Sequence, residues 1–298
     1  MTQAEAIPGP AVQHSPTTLA ERIVRFANRT PIHIVLGLIG VVWLAPTVGL
    51  LVTSFRPRSD IQATGWWETF ATLRFTSENY EQVLGSQGLV GAFVNTVIIS
   101  VPSTLIPLTV ASMAAFAFSW IKFPLRDSLF LLVVALMMVP VQVAFIPLLK
   151  LFAPVGLTQG FGGVWLAHTA FALPFGIFLL RNFFITLPRD LIEAARIDGA
   201  STFGVFRTIV VPLSVPAIAA YGIFQFLWVW NDLLMALVFV QTGTDWPLTR
   251  QIANLLSQYG TEWHLLAAGA FILMIVPLAV FFSLQRFFVQ GLLAGSVK

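Results

Sequence analysis

The chain has 298 residues, 57% of them hydrophobic and only 10% charged, against roughly 25% charged in an average soluble domain. With 27 Phe and 9 Trp to hide, a water-soluble globular enzyme is all but excluded, and the 21 Gly and 18 Pro are too scattered for a collagen-like or disordered chain. No cysteine is present, which removes disulfide frameworks and Cys-ligated metals, and a net charge of +3 is too small to argue for a nucleic-acid partner.

A helix needs about 20 mostly apolar residues to cross the hydrocarbon core. Six segments meet that need: His33–Ser54, Gly91–Trp120, Ser128–Leu149, Gly162–Leu180, Ile209–Val240 and His264–Leu284. They predict an all-α, polytopic membrane protein with a six-helix transmembrane domain over residues 32–286, an N-terminal tail and basic flank at 1–31, and a C-terminal tail at 287–298. The first apolar run is 22 residues long, follows a polar Pro-bearing lead, and has Arg56 after it without a small-residue cleavage site. It reads as an uncleaved span rather than a signal peptide, with Met1 to about Ala20 as a flexible tail.

The basic residues set the orientation. Eleven of the 16 Lys and Arg lie before span one, between spans two and three, between spans four and five, or after span six. Both termini are therefore expected in the cytoplasm. Residues 181–208 then form the longest cytoplasmic connection, and Phe55–Val90 the longest external one.

Asp232 is the one Asp, Glu, Lys or Arg inside an expected span. An ion-coupled carrier needs buried charges as its relay, so a secondary carrier is the weaker alternative and energy is expected to enter from outside the bilayer. No Ser/His/Asp set or metal-spaced cluster can be placed at one depth, which argues against a membrane-embedded enzyme. A transmembrane scaffold without flux is a further rival. Prolines recur inside the spans (Pro102, Pro107, Pro140, Pro174, Pro212, Pro216 and Pro277 among them), as suits helices bent around a cavity but also ordinary packing irregularity. Asn95, Gln142, His168, Asn182, Gln225, Asn231 and Asp232 are the few polar groups available to such a cavity. Asn231 and Asp232 read either as a solvated helix end beside Trp228 and Trp230 or as substrate contacts, and His168 as an interior hydrogen-bonded residue or a ligand.

The connection between spans four and five reads TLPRDLIEAARIDGASTFGVFRTIVVPLSVP over residues 186–216. Thr186 suits an N-cap and Pro188 a first turn. Asp190 and Glu193 early, with Arg196 late, complement the helix dipole. Gly199 suits a left-handed stop, and Ser201 or Thr202 the cap of a re-entry helix. Ala194 and Ala195 leave one face of the short helix smooth, which suits docking into a partner's groove or a solvated connector.

Glu193-Ala194-Ala195, Asp198-Gly199-Ala200, then Phe206, Ile209, Pro212 and Pro216 resemble the signature loop of permease subunits in binding-protein-dependent ABC importers of the maltose type. Glu78-Asn79-Tyr80, Met138-Val139-Pro140, Trp230-Asn231-Asp232 and the closing Gly291-Leu292 extend the likeness beyond that loop, and it is nearer the shorter, six-span member of the permease pair. The resemblance implies the type I importer permease fold. It implies a second permease, two ATPase subunits carrying ATP and Mg, and an extracytoplasmic binding protein as partners, in the inner or plasma membrane. No cofactor is implied on this chain, which lacks a phosphate loop and is not itself an enzyme. In its terms Glu193, Ala194, Ala195, Asp198, Gly199 and Phe206 couple the chain to the ATPase, with Asp198 holding the loop by capping amides. The C-terminal segment from Gln290 either reaches toward the ATPase or frays. The implied cargo is a sugar or sugar-like polyol, such as an α-glucoside, with Gln225, Asn231 and Asp232 as candidate contacts.

Overall fold

A computed structural model describes residues 19–85, 88–158, 160–259 and 262–294, and those residues contain helices and turns but no strand. The helices are α1 (Leu19–Ser54), α2 (Arg58–Ala63), α3 (Thr69–Thr72), α4 (Glu78–Gly85), α5 (Leu89–Trp120), α6 (Arg126–Leu136), α7 (Val141–Phe152), α8 (Phe161–Phe184), α9 (Arg189–Ile197), α10 (Thr202–Val205), α11 (Val211–Leu213), α12 (Val215–Trp230), α13 (Leu234–Phe239), α14 (Leu248–Tyr259) and α15 (Trp263–Ala294). Short 3-10 turns occupy Trp66–Glu68, Ala153–Val155 and Gly243–Asp245, and a π-helical turn occupies Phe206–Val210. Four helices are long and apolar enough to cross a membrane, and six crossings result if each of two bent pairs counts as one. The chain divides into two compact units near Val52 and Thr53. In the first, α1 presents apolar side chains such as Leu36, Val42 and Trp43 outward along its length.

Spans one, two, four and six coincide with helices α1, α5, α8 and α15, although α8 runs on to Phe184 and α15 to Ala294. Spans three and five, which carry prolines that suit bent helices, are each broken into two helices. Between α6 and α7 the axis turns by 105°. Pro140 causes the turn: it has no N–H to continue the ladder, forces the preceding residue away from helical geometry, and itself adopts φ −62°, ψ 129°. The fifth crossing turns by 79° at Ser214. Pro212 and Pro216 bracket that serine, and Pro216 sits in the first turn of α12, where its missing donor costs nothing. A second interruption follows α12, so Asn231 and Asp232 lie in a turn before α13 rather than inside a continuous span.

The core of the second unit is built where α5, α8 and α12 meet. Ala111 and Ala115 on α5 and Gly176 on α8 allow close approach. Into the space left by Gly176 goes Tyr221, fully buried, with its hydroxyl donating to the Ala172 carbonyl at 3.0 Å. Several α5 hydroxyls bond back within the helix, Thr104 donating to the Ser100 carbonyl at 2.7 Å and Ser119 to that of Ala115 at 2.7 Å, whereas the buried Ser100 and Ser103 hydroxyls have no partner among the described residues.

Three prolines are met by partners from other helices. In a helix each N–H bonds the carbonyl four residues back, so a proline strands that carbonyl. Pro102 strands Ile98, whose oxygen accepts from the Trp165 indole at 3.0 Å. Pro107 strands Ser103, whose oxygen accepts from Gln225 Nε2 at 3.0 Å. Pro277 strands Leu273, whose oxygen accepts from the Trp230 indole at 3.0 Å. In an apolar medium such carbonyls have no water to turn to, which makes these donors the ties between α5 and α8, α5 and α12, and α12 and α15.

Candidate functional site

The connection between spans four and five forms a projecting knob. Pro188, extended at φ −59°, ψ 123°, precedes α9 and supplies no side-chain cap. Thr186 is not the N-cap expected of it: its hydroxyl donates instead to the Phe183 carbonyl at 2.7 Å, closing the end of α8. At the other end the sequence reading holds. Gly199 adopts φ +85°, its N–H bonds the Arg196 carbonyl at 3.1 Å, and the Ala200 N–H bonds the Ala195 carbonyl at 2.9 Å. Those two bonds are the Schellman stop, which glycine enters without a Cβ penalty. Ser201 then caps α10, its hydroxyl accepting from the Gly204 N–H at 3.0 Å. Asp198 does not hold the loop. Its carboxylate is exposed and makes no hydrogen bond among the described residues, so the backbone alone fixes the turn.

One face of α9 is inside and the other is bare. Ile192 is buried and Ala195 half-buried against the core beneath. Leu191, Glu193, Ala194, Asp198 and Gly199 are exposed, and Ile197 is 86% exposed at the tip. Phe206 stands apart from this surface: it is half-buried in the π-helical turn, with its ring 5.2 Å from that of Phe116 on α5. Arg196 makes a second link to α5. Its guanidinium donates to the Trp120 carbonyl at 3.2 Å, one of the orphaned acceptors at that helix's C-terminus. The knob is thus joined to span two as well as to the neighbouring spans four and five. Spacing along the chain gave no sign of that link, because the two residues are 76 apart.

The expected pathway residues separate on inspection. Gln225 is buried and committed to the Ser103 carbonyl. Asn231 is exposed and donates to the Leu227 carbonyl at 2.8 Å. Asp232 caps α13, accepting from the Met235 and Ala236 N–H groups at 2.9 and 3.3 Å. Trp230 is buried against Phe93 and Phe226 and does not flank a solvated end, whereas Trp228 is partly exposed. His168 is buried with Nε2 3.9 Å from Asp232, its ring edge-on to Trp228, and Nδ1 without a partner. Asn95 donates to the Thr244 and Trp246 carbonyls, while Gln142 and Asn182 are exposed. Among the described residues no cluster of three or more His, Asp or Glu side chains could hold a metal.

Gln225→Leu is expected to strand the Ser103 carbonyl and cost about 1–3 kcal/mol. A fall in the detergent-solubilised thermal midpoint checks this, and an unchanged midpoint would show that another donor replaces the amide.

Residues 107–293, which include the knob and both bent crossings, match the family described as "Binding-protein-dependent transport system inner membrane component". The chain belongs to this family. It is therefore a multi-pass ABC importer permease subunit, a transport component and not an enzyme. Among its relatives is the osmoprotective compounds uptake permease protein GgtD of Synechocystis sp., 52% identical over 95% of this chain and 96% of that protein. The alpha-glucoside transport system permease protein AglG of Rhizobium meliloti is 51% identical over 76% of this chain and 61% of its own length. A solved bacterial ABC transporter involved in import of the acidic polysaccharide alginate shares the fold, with a TM-score of 0.70 and 20% identity over 90% of this chain and 97% of the other. The same kind of transporter has been seen with an alginate pentasaccharide-bound periplasmic protein, at a TM-score of 0.65, 16% identity, and coverage of 88% and 95%.

Proposed function

We propose that this permease is the shorter of two membrane subunits in an ATP-driven importer of a sugar or sugar-like polyol, with an α-glucoside as the leading substrate class. The observation that carries the reading is the 51–52% identity to permeases named for α-glucosides and for osmoprotective compounds. In this reading an extracytoplasmic binding protein delivers the solute and two ATPase subunits, holding ATP and Mg, dock beneath. The knob seats in the ATPase: Ile197 and Leu191 supply apolar contact, Ala194 allows close approach, and Glu193 anchors by polar bonds. Closure of the ATPases on ATP then moves α9 as a rigid body. Arg196 and Phe206 carry that motion into α5, biasing the permease between inward- and outward-facing states. Asn231, exposed at the end of α12, is the best placed of the three polar candidates to meet a hydroxyl-rich solute.

The test is uptake of a labelled α-glucoside into vesicles that contain the permease pair and ATPase, with the binding protein outside and ATP inside. Accumulation is expected to require ATP and binding protein and to survive collapse of proton and sodium gradients. Uptake that persists without the ATPase and vanishes with an ion gradient would establish the carrier reading instead.

A further inference from the structure

The connection between spans one and two carries an aromatic surface that translocation and coupling leave unused. Trp66, Trp67 and Phe70 cluster edge-to-face, with centroid separations of 6.0 Å between the tryptophans and 6.3 Å between Trp66 and Phe70. From this cluster the chain presents large apolar side chains outward: Trp67 is 63% exposed, Phe70 59%, Leu73 69% and Phe75 54%. Thr69, between them in sequence, is the buried residue of that stretch. Four large exposed apolar side chains within nine residues, outside the membrane-crossing helices, are costly in water and mark an interaction surface.

Both ends of the segment are tied to the end of a span. Ser54 is the last residue of α1, whose Pro31–Ser54 portion is long and apolar enough to cross the bilayer. Asn79 Nδ2 donates to the Ser54 and Arg56 carbonyls, both at 2.9 Å. The Tyr80 and Ser54 hydroxyls are 2.8 Å apart, and the Thr76 N–H bonds the Phe55 carbonyl at 2.7 Å. On the outgoing side the buried Arg56 guanidinium bonds the Asp60 and Thr64 carbonyls and the Thr64 hydroxyl. The segment therefore leaves and returns at the depth where the span ends. A helix that crosses the bilayer ends in the headgroup region, where Trp and Phe side chains partition favourably.

We infer that Trp67, Phe70, Leu73 and Phe75 form an interfacial foot, resting on lipid in the leaflet opposite the knob. Continuity with the span end selects lipid as the occupant: the same hydrogen bonds that close the loop hold the patch level with the bilayer surface. Glu68 and Arg74 alternate with the apolar residues, as suits a segment lying along the boundary between headgroups and acyl chains.

The absence of cysteine in this chain allows a single label to be placed on it, with partner subunits depleted of reactive cysteine before assembly. Nitroxides at Phe70→Cys and Leu73→Cys, in the complete transporter reconstituted in phosphatidylcholine vesicles, are to be compared with one at Gln62→Cys, an exposed residue of the same connection. The labels at 70 and 73 are expected to favour collision with oxygen over a water-soluble nickel chelate several-fold more than the label at 62. Equal behaviour at the three positions would overturn the inference by placing the patch in water. Shielding of 70 and 73 from both reagents, or loss of their oxygen access when the binding protein is added, would overturn it by showing a protein cover.

Discussion

Glu193→Lys is expected to abolish solute uptake while leaving the permease inserted and folded. Glu193 lies on the bare face of α9, makes no contact that the core needs, and sits four residues before the tip residue Ile197. Reversing its charge leaves the packed side, Ile192 and Ala195, untouched and alters only what a docking partner meets. Gly199→Arg should give the same loss by a second route. No atom lies within 4 Å of a Cβ at position 199, so the space is open, but φ is +85°. A side chain there costs on the order of 1–2 kcal/mol in backbone conformation and adds bulk to the docking surface. The measurement pairs ATP-driven uptake with co-purification of the ATPase and with stimulation of ATP hydrolysis by binding protein. Uptake at the unsubstituted rate in either variant would remove the coupling role from α9.

Gly176→Leu should act on the fold rather than on coupling. A Cβ at position 176 would lie 2.3 Å from the Tyr221 ring. Tyr221 is fully buried and held by its hydroxyl bond to Ala172, so it cannot swing aside. The expected cost is about 3 kcal/mol, at the upper end of overpacking penalties, and it falls on the junction of α5, α8 and α12. The variant should lose monodispersity in detergent and a large part of its thermal midpoint. Tyr221→Phe serves as the reference: it removes one hydrogen bond without crowding, at about 1 kcal/mol. Equal midpoints for the two variants would mean that the helices separate without penalty.

The sequence carried the positions of the apolar helices well because hydropathy depends on local composition, and α5 begins within two residues of the expected Gly91 and ends at the expected Trp120. It carried the knob's stop for a similar reason: Gly199 and Ser201 act through bonds to residues three to five positions away. Direction was not legible. The segment 128–149 is almost wholly apolar, and Pro140 marks where it can bend without telling the 105° by which the axis turns. Nor were the long-range partners. Arg196 with Trp120, Gln225 with Ser103 and His168 beside Asp232 join residues 64 to 122 apart, and only the folded bundle brings them together. Gln225 shows the consequence for site prediction. A lone amide in a span suggests a ligand contact until the carbonyl it serves is found.

The proline-stranded carbonyls limit how this membrane domain can vary. Pro102 with Trp165, Pro107 with Gln225 and Pro277 with Trp230 are two-position units, each balanced only when both members are present. Restoring an N–H at position 277 would make the Trp230 indole redundant, and deleting the indole alone would leave an acceptor facing hydrocarbon. Substitution in tandem is the tolerated route, so stabilising exchanges in this bundle should be sought as pairs drawn from different helices rather than as single positions scanned in isolation.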